Sequence, residues 1–285
     1  MDKAPTVSIV LPVWNGEKYL AGALDSVLGQ TYRNFELIIV NDCSTDSSPR
    51  IAEDYARKDS RIRVLHNTKN LKLPASLNRG FKEARGRYLT WTSDDNLLHP
   101  TFLETLLGEL ESSQADVVYS NANDIDEDGK FLRFWPTGDP EGLVCQNTIG
   151  ASFLYKREVH EALGGYDTKR FLYEDYDFWI RAYLQGFRYR RSYSVVYDYR
   201  RHAGALTSSE KLPQAFFEYK YELRKRFVGI DRRVAFEARS ILTGYRKALG
   251  IRRWLWLFIE AFPLDPVGTL KLVGRFGRRL VAKIA

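Results

Sequence analysis

The chain has 285 residues, of which 44% are hydrophobic, 14% are aromatic and 28% are charged, a composition that supports a sizeable core and excludes wholesale disorder. No run of eighteen uninterrupted apolar residues occurs, which argues against a conventional transmembrane helix. The net charge of +7 is uneven, because residues 211–285 hold 17 Lys and Arg against 6 Asp and Glu, whereas residues 1–210 hold 26 against 30. The basic character therefore belongs to the last quarter of the chain.

The amino-terminal residues do not show the pattern of a secretory signal, because Pro12 interrupts the short apolar run that starts at Val7. Two cysteines, Cys43 and Cys145, are too few for a disulfide framework or for a thiolate zinc site. We therefore expect a reduced protein in the cytoplasm.

The first 120 residues alternate between two sequence patterns. Short apolar, mostly β-branched runs are typical of strands buried on both faces, and longer stretches with apolar residues on one side are typical of helices. This alternation predicts an α/β fold with a mostly parallel sheet and helices on both faces. The predicted strands span residues 7–13, 35–40, 62–65, 88–91 and 117–119, and the predicted helices span 19–28, 44–57, 74–84 and 99–110, with Ser44–Ser48 supplying the cap of the second helix.

In the following region, residues 121–172, the apolar residues show no clear helical or strand periodicity. Turn signals occur at Asp128-Gly129, at Pro136-Thr137-Gly138 and at Gly164-Gly165, so we expect short mixed strands and a long loop there. Beyond it, the pattern predicts a helix over 178–184 and a strand over 193–199.

Polar side chains follow three of the predicted strands, namely Asn15, Asp42 and the pair Asp94-Asp95. In parallel sheets, ligands bind outside the carboxyl ends of the strands, so these residues are expected to line one crevice. Neither of the common glycine-rich nucleotide-binding motifs is present. Carboxylates that bind a nucleotide through Mg²⁺ or Mn²⁺ are the alternative, and Asp94-Asp95 suits that role. The same pair could instead cap the helix that follows.

A series of motifs extends from these strand ends to the region near residue 200. They are Val7–Gly16 with Phe35–Asp46, Leu77–Gly80 with Ala84–Leu89, Thr92–Asp95, Glu174–Trp179 and Tyr199–His202. Together and in this order they resemble the motifs of family 2 glycosyltransferases over about residues 5–208. The resemblance implies the GT-A nucleotide-diphospho-sugar transferase fold, a nucleotide-sugar donor, Mn²⁺ or Mg²⁺ as cofactor, and inversion at the anomeric carbon.

The resemblance also assigns roles to individual residues. Asp42 would accept the imide N–H of uracil or thymine, Asp95 would bind the metal, and Asp175 would be the catalytic base, ahead of Asp177 and then Glu174. The other contacts with the nucleotide sugar would come from Pro12, Asn15, Asn78, Ser93, Asp94 (on the ribose) and His202, the last of which would contact the diphosphate or the metal.

Each of these roles has a simpler alternative. The acids Glu174, Asp175 and Asp177 could favour the first turn of a helix through the helix dipole. His202 could be a surface histidine, and Asn15 could be a turn residue only.

The sequence also departs from the family pattern at two positions. Cys43 stands where the family usually has glycine, so the loop beside the donor base is expected to differ in shape. Thr92 replaces the first acid of the fuller Asp-x-Asp-Asp form, so metal binding would depend mainly on Asp95.

The last quarter of the chain lies beyond the resemblance. Its patterns predict helices at 215–227 and 233–249, an aromatic run at Trp254–Ile259 and a basic amphipathic helix at Leu270–Ile284. Such a helix either packs on the catalytic domain or a partner subunit, or lies in an anionic membrane interface, which the charge favours. Nucleic acid is not expected, because no recognition module accompanies the basic residues.

The sequence therefore predicts a GT-A catalytic domain over residues 1–210, with nucleotide-sugar binding in 1–120 and the acceptor side in 121–210, and a basic helical tail over 211–285. The predicted activity is metal-dependent, inverting transfer from a nucleotide sugar, specifically a UDP-sugar, to a hydroxyl of a glycan or lipid-linked acceptor in surface polysaccharide synthesis, in the cytoplasm or on the inner face of the cell membrane. A nucleotidyltransferase and a non-catalytic nucleotide-sugar-binding scaffold stay open as alternatives.

Overall fold

The computed structural model describes residues 4–144, 146–206 and 218–219. The chain divides into two units, one formed by residues 1–140 and 147–209 and the other by residues 141–146 and 210–285. The elements predicted within 211–285 lie outside the described residues, except that Glu218 and Tyr219 are helical. No described helix is long and apolar enough to cross a membrane.

The amino-terminal half of the first unit alternates strands and helices as predicted. Its elements are β1 (Val7–Val13), α1 (Leu20–Leu28), β2 (Phe35–Asn41), α2 (Ser48–Lys58), β3 (Ile62–His66), α3 (Leu73–Glu83), β4 (Tyr88–Trp91), β5 (Leu97–Leu98) and α4 (Phe102–Ser112).

The described chain continues to residue 200 with four more strands, two helices and a 3₁₀ helix. These are β6 (Val117–Ile125), β7 (Phe131–Trp135), a 3₁₀ helix (Pro140–Val144), β8 (Phe153–Lys156), α5 (Arg157–Leu163), α6 (Glu174–Leu184) and β9 (Tyr189–Arg200).

Within the described residues these strands form one nine-stranded sheet in the order β3-β2-β1-β4-β8-β6-β9-β5, with β7 attached to β6. The pairs β2–β3, β1–β2, β1–β4 and β6–β9 are parallel. The strands β8, β7 and β5 pair antiparallel with their neighbours. The predicted mostly parallel sheet is therefore confirmed, with antiparallel additions in its second half.

Helices cover both faces of the sheet because β1 and β2 are apolar on both sides. Ile9 and Leu11 enter a core shared with α1 and α4. On the opposite face, Gly80 of α3 lies against Val10 and Val40, and a Cβ atom at this glycine would come within 2.4 Å of Val10. Glycine at this position therefore allows α3 to approach the sheet closely.

Pro12 occupies a central strand without breaking it. The carbonyl of Val10 accepts a hydrogen bond from Thr92 N–H on the β4 side (3.1 Å), and the carbonyl of Val13 accepts one from Asp42 N–H on the β2 side (2.8 Å). Successive residues of a strand direct their backbone N–H and C=O groups towards alternate neighbouring strands. The nitrogen of Pro12 therefore faces the β4 side, at a position beyond the last paired residue of β4. No hydrogen bond of the sheet is lost there, so β1 can continue to the edge where ligands bind.

The structure corrects several predicted boundaries. β6 extends to Ile125 rather than to residue 119, and β9 starts at Tyr189 rather than at 193. Buried polar residues such as Ser120 and Asn121 obscured the first extension, because they interrupt the apolar pattern. α6 starts at Glu174 rather than at 178, since its first turn is acidic. The predicted division into residues 1–210 and 211–285 stays a prediction.

Candidate active site

The loops after β1 and β2 are joined by hydrogen bonds at the carboxyl edge of the sheet. Asn15 N–H donates to Ser44 Oγ (3.0 Å), and Asn15 Oδ1 accepts the N–H of Thr45 (2.8 Å). Gly16 N–H donates to Ser48 Oγ (2.9 Å). Asn15 is exposed and has a φ of 55°, a left-handed conformation that asparagine tolerates better than most residues. The predicted binding residue Asn15 thus also fixes the shape of both loops.

Two carboxylates reinforce this connection. Glu17 N–H donates to Asp46 Oδ2 (3.0 Å), and Ser47 N–H donates to Glu17 Oε2 (2.9 Å). Asp46 Oδ1 also accepts the N–H of Ser48 (3.0 Å), which caps α2. Within the predicted capping stretch Ser44–Ser48, the bond to the start of the helix therefore comes from Asp46, whereas Ser47 makes no side-chain cap bond and the hydroxyl oxygens of Ser44 and Ser48 bind the loop after β1.

Asp42 follows β2 and is 4% exposed. Its Oδ1 accepts hydrogen bonds from Asn67 Nδ2 (2.7 Å) and Leu71 N–H (2.8 Å), and its Oδ2 accepts one from Lys72 N–H (2.9 Å). Three donors fix the plane of the carboxylate. A carboxylate oxygen can accept two hydrogen bonds, so Oδ2 keeps acceptor capacity for a ligand.

Cys43, next to Asp42, has a φ of 62°. That backbone conformation is the one glycine adopts readily and other residues adopt at some cost. Cys43 therefore has a left-handed backbone at the position where the family usually has glycine, and a difference in loop shape stays a prediction.

Asp94 follows β4 and lies against the loop after β1. A Cβ atom at Gly16 would stand 1.9 Å from Asp94 Oδ2, so only glycine leaves room for this carboxyl group. Burial, together with the negative charge of Asp95, raises the pKa of Asp94 to about 8. Ser93, beside it, is half-buried, and Thr92 bonds through its hydroxyl to the hydroxyl of Tyr197 (3.0 Å).

The structure brings Asp95 and His202 together although they are 107 positions apart, with Asp95 Oδ2 3.1 Å from His202 Nε2. Their side chains are 19% and 15% exposed, so His202 is no isolated surface histidine. Asp95 Oδ1 is buried and accepts no hydrogen bond from the described part of the chain. No group of three or more His, Cys, Asp or Glu side chains suited to a metal occurs among the described residues.

Arg200 holds this pair in place and is 7% exposed. Its Nε donates to the carbonyl oxygen of Asp95 (2.8 Å), and its Nη1 donates to the carbonyl oxygens of Asp126 (3.1 Å) and Glu127 (3.0 Å). Its backbone N–H donates to Asn96 Oδ1 (2.8 Å). Arg200 has no predicted role, although its place inside the Tyr199–His202 motif was a usable signal.

Asp175, the predicted catalytic base, is the second residue of α6. Its Oδ2 accepts a hydrogen bond from Asn147 Nδ2 (2.8 Å), and its Oδ1 accepts one from Tyr176 N–H (2.6 Å). Burial raises the pKa of Asp175, and these two donors oppose that rise. Asn147 was missed in the sequence, because it lies in the stretch of 121–172 that shows no pattern.

The neighbouring acids of α6 have different surroundings. Glu174 is 4% exposed, and its Oε2 has no hydrogen-bond partner among the described residues. Burial, followed by the charge of Asp175, raises its pKa. Asp177 instead pairs with Arg181 (2.7 Å) and lies 3.9 Å from Arg170. Asp177 is therefore committed to ion pairs within the fold.

Asn78 connects α3 to the chain before α6. Its Nδ2 donates to the carbonyl oxygen of Tyr166 and its Oδ1 accepts the N–H of the same residue, both at 2.8 Å. A Cβ atom at Gly165 would stand 2.6 Å from Asn78 Oδ1, so the glycine makes room for this contact. Contact of Asn78 with a nucleotide sugar stays a prediction.

Comparisons with known proteins identify the family of this chain. Residues 8–173 match the sequence profile described as Glycosyl transferase family 2. The glycosyltransferase GlyG of Streptococcus pneumoniae is similar, with 31% identity over 224 residues, which is 72% of this chain and 73% of that protein.

Two solved structures share the fold at low sequence identity. TarS 1–349 of S. aureus, in complex with UDP-GlcNAc, has a TM-score of 0.68 at 17% identity over 94% of this chain and 83% of that chain. The mannosyltransferase PcManGT of Pyrobaculum calidifontis, in complex with GDP-Man and Mn²⁺, has a TM-score of 0.56 at 16% identity over 98% and 88%. The predicted GT-A fold is confirmed. With the profile match covering more than half of its length, the chain belongs to the family 2 glycosyltransferases.

Proposed function

We propose that this glycosyltransferase is a metal-dependent, inverting enzyme that moves a sugar from a UDP-sugar to a hydroxyl group of a glycan or lipid-linked acceptor in surface polysaccharide synthesis. The observation that carries the proposal is the pairing of Asp95 with His202 at the end of β4, where Asp95 Oδ1 is buried and accepts no hydrogen bond from the described residues. Structures of the same fold support a nucleotide-sugar donor, since TarS holds UDP-GlcNAc and PcManGT holds GDP-Man with Mn²⁺.

Asp95 and His202 fit a divalent cation. Mg²⁺ at phosphate-transfer sites is usually bound by one or two carboxylates together with substrate phosphates and water, so two protein ligands suffice. A buried carboxylate oxygen without a partner is unfavourable, and a cation would supply the missing interaction. When bound there, Mn²⁺ or Mg²⁺ would act as a Lewis acid that neutralises charge on the departing diphosphate.

Residues at the ends of β1, β2 and β4 would bind the rest of the donor. An ionised carboxylate can only accept hydrogen bonds, so Asp42 suits the imide N–H of uracil. Its fixed plane, held by three donors, gives this recognition a defined direction. The proposed donor contacts are Pro12, Asn15, Asp42, Asn78, Ser93, Asp94 and His202.

Asp175 would act as the catalytic base. It takes the proton of the acceptor hydroxyl while that oxygen attacks the anomeric carbon on the face opposite the diphosphate, and the diphosphate leaves with the electron pair of the broken bond. Attack on the opposite face inverts the configuration. A buried carboxylate with a raised pKa accepts a proton more readily, and a positioned base contributes about 10²–10⁴ in rate.

Residues 211–285 are proposed, from their sequence alone, to hold the enzyme at an anionic membrane surface on the cytoplasmic side. A basic amphipathic helix would place its apolar face in the interface. A lipid-linked acceptor would lie at that surface.

Calorimetry with UDP tests the metal site. In the wild-type enzyme, the affinity for UDP should be at least about tenfold higher in the presence of Mn²⁺ than in the presence of EDTA, because changes near a metal ligand typically alter metal affinity by about that factor. In Asp95→Asn the two affinities should be equal, because the variant loses the charge that holds the cation. The matched control is Asp128→Asn at an exposed position, which should respond like the wild type. Equal affinities in the wild type would overturn the metal proposal.

Product analysis tests the reaction itself. Incubation with a panel of nucleotide sugars and acceptors should release a nucleoside diphosphate, and NMR should show the opposite anomeric configuration in the product. Release of pyrophosphate would instead identify a nucleotidyltransferase. Binding of donors without any release would identify a scaffold.

A further inference from the structure

Asn147 lies between the Asp175 carboxylate and a turn of its own segment. Its Nδ2 donates to Asp175 Oδ2 at 2.8 Å. Its Oδ1 faces the backbone N–H groups of Ile149 (3.2 Å) and Gly150 (3.4 Å). Two N–H groups on one side and a carboxylate on the other allow only one orientation of the amide group. The turn also requires Gly150, whose φ is +74°.

The Asp175 carboxylate receives its hydrogen bonds from two different segments. The bond from Tyr176 N–H comes from α6 itself, so it moves with the helix. Among the described residues, Asn147 is the only side chain that donates a hydrogen bond to Asp175. The direction of the carboxylate relative to the rest of the site therefore depends on Asn147.

We propose that Asn147 is a positioning residue for the reaction: it holds one oxygen of the Asp175 carboxylate and turns the remaining lone pairs of that group towards the acceptor hydroxyl. The inference rests on the proposed function, because it takes Asp175 as the base.

The charges around Asp175 make an uncharged donor important. Glu174 adjoins it on the same helix, and the hydroxyl of Tyr166 faces the pair from the preceding loop. The cations Arg181 and Arg170 contact Asp177 instead. Amide N–H groups thus supply the hydrogen bonds that favour the ionised form of Asp175. Loss of the Asn147 donor would raise the pKa of Asp175, while Glu174 and Tyr166 stay unchanged.

Two variants remove the donor. Asn147→Asp keeps an oxygen for the N–H groups of Ile149 and Gly150 but also places a second carboxyl group beside Asp175, whereas Asn147→Ala removes the donor without adding charge. The acid limb of the kcat/KM profile should move to higher pH by at least about one unit, since the lost bond involves a charged acceptor. At pH 6 turnover should therefore fall about tenfold or more and should recover at pH 9, with donor KM changed less than about twofold. Asn147→Ala should shift the limb in the same direction.

The control variant is Asn121→Asp. Asn121 is buried and, like the half-buried Asn147, joins two segments, since its Nδ2 donates to the carbonyl oxygen of Tyr193 (2.9 Å) and its Oδ1 accepts the N–H of Thr137 (3.0 Å). It does not contact Asp175, so this variant should lower the unfolding temperature without moving the acid limb.

Asp175→Asn separates the inference from the proposed function. That variant should lose about 10² or more in turnover with unchanged donor affinity. Near-wild-type transfer by Asp175→Asn would mean that the base is another residue, and the proposed mechanism would fail. Loss of turnover in Asp175→Asn, combined with an unmoved acid limb in both Asn147 variants, would overturn the positioning role alone. A loss that is equal at every pH would also overturn it, because it would show a structural role only.

Discussion

Two buried glutamates of the first unit have opposite surroundings. Glu36 is the second residue of β2, at the end of that strand opposite Asp42, and Glu174 is the first residue of α6, next to the candidate base; they are 2% and 4% exposed. Glu36 accepts hydrogen bonds from Ser8 Oγ (2.7 Å) and Arg85 N–H (2.6 Å). The guanidinium groups of Arg85 and Arg63 each lie 3.0 Å from its Oε2. Oε2 of Glu174 has no such partner among the described residues.

These surroundings shift the pKa values of the two glutamates in opposite directions. Burial alone would raise the pKa of Glu36, yet the Ser8 hydroxyl, the Arg85 N–H and the guanidinium groups together hold it below its ordinary value. Burial and the charge of Asp175 raise the pKa of Glu174. The amino end of the sheet thus uses a buried acid for stability, whereas the region around the base keeps one that reduces stability, the pattern expected where activity depends on an unfavourable environment.

The largest effect on stability is expected at Glu36. Glu36→Gln keeps the shape but removes the negative charge between two arginines, so the free energy of unfolding at pH 7 should fall by about 2 kcal/mol. Because the folded-state pKa is lowered, this stabilisation is present above the unfolded value of about 4.3 and is lost as pH falls through the folded value.

Urea unfolding of both proteins between pH 3 and pH 7 measures this difference. Glu83→Gln is the control, because the side chain of Glu83 is 47% exposed and lies 4.0 Å from the same Arg63. Its effect should stay below about 0.5 kcal/mol. A similar loss in both variants would remove the distinction between the buried and exposed acids.

Glu174 should show the opposite dependence on pH. Its folded-state pKa is raised, so the folded protein keeps a proton that the unfolded chain releases, and stability falls as pH rises above about 4.3 towards the folded value. Glu174→Gln removes that loss and should be more stable than the wild type at pH 8 by an amount on the order of 1 kcal/mol. Identical pH slopes for the two proteins in urea unfolding would show that Glu174 is ionised in the fold.

At Cys43 the unfavourable feature is the backbone conformation rather than a buried charge. At a φ of 62°, a residue with a Cβ atom is less favourable than glycine, so Cys43→Gly should raise stability by up to about 1 kcal/mol. Calorimetric melting checks this, and Cys43→Ala is the matched control, because it removes the thiol but keeps the Cβ atom. An equal gain in Cys43→Ala would assign the effect to the thiol instead.

The elements that could be predicted from the sequence are those marked by a pattern of apolar residues. β1 and β4 have their predicted bounds, because a strand buried on both faces is a continuous apolar run between turn residues. β6 was cut short because buried Ser120 and Asn121 are satisfied by hydrogen bonds across the sheet, which the sequence does not show. Within Ser44–Ser48 the sequence also does not show which residue caps α2. Asp46 does so, while the hydroxyl oxygens of Ser44 and Ser48 bind partners 29 or more positions away, in the loop after β1.

Some residues of the candidate site could likewise be predicted from the sequence, and others could not. Asp42, Asp94 and Asp95 could be predicted because they follow apolar runs, and the resemblance added Asp175 and His202. Asn147 could not be predicted, since its significance depends on a contact with Asp175, 28 positions further along the chain. Residues that act through another residue carry no local signal.

The pairing of Asp95 with His202 has a consequence for the time course of protein synthesis. The two residues are 107 positions apart, and a ribosome that adds about 5–20 residues per second needs roughly 5–20 s to pass from one to the other. β9, which leads to His202, is also the strand that must enter between β6 and β5. A nascent chain that has already formed the loops for the nucleotide therefore lacks half of the proposed metal site. Unfinished chains are expected to leave the cellular pool of activated sugars untouched.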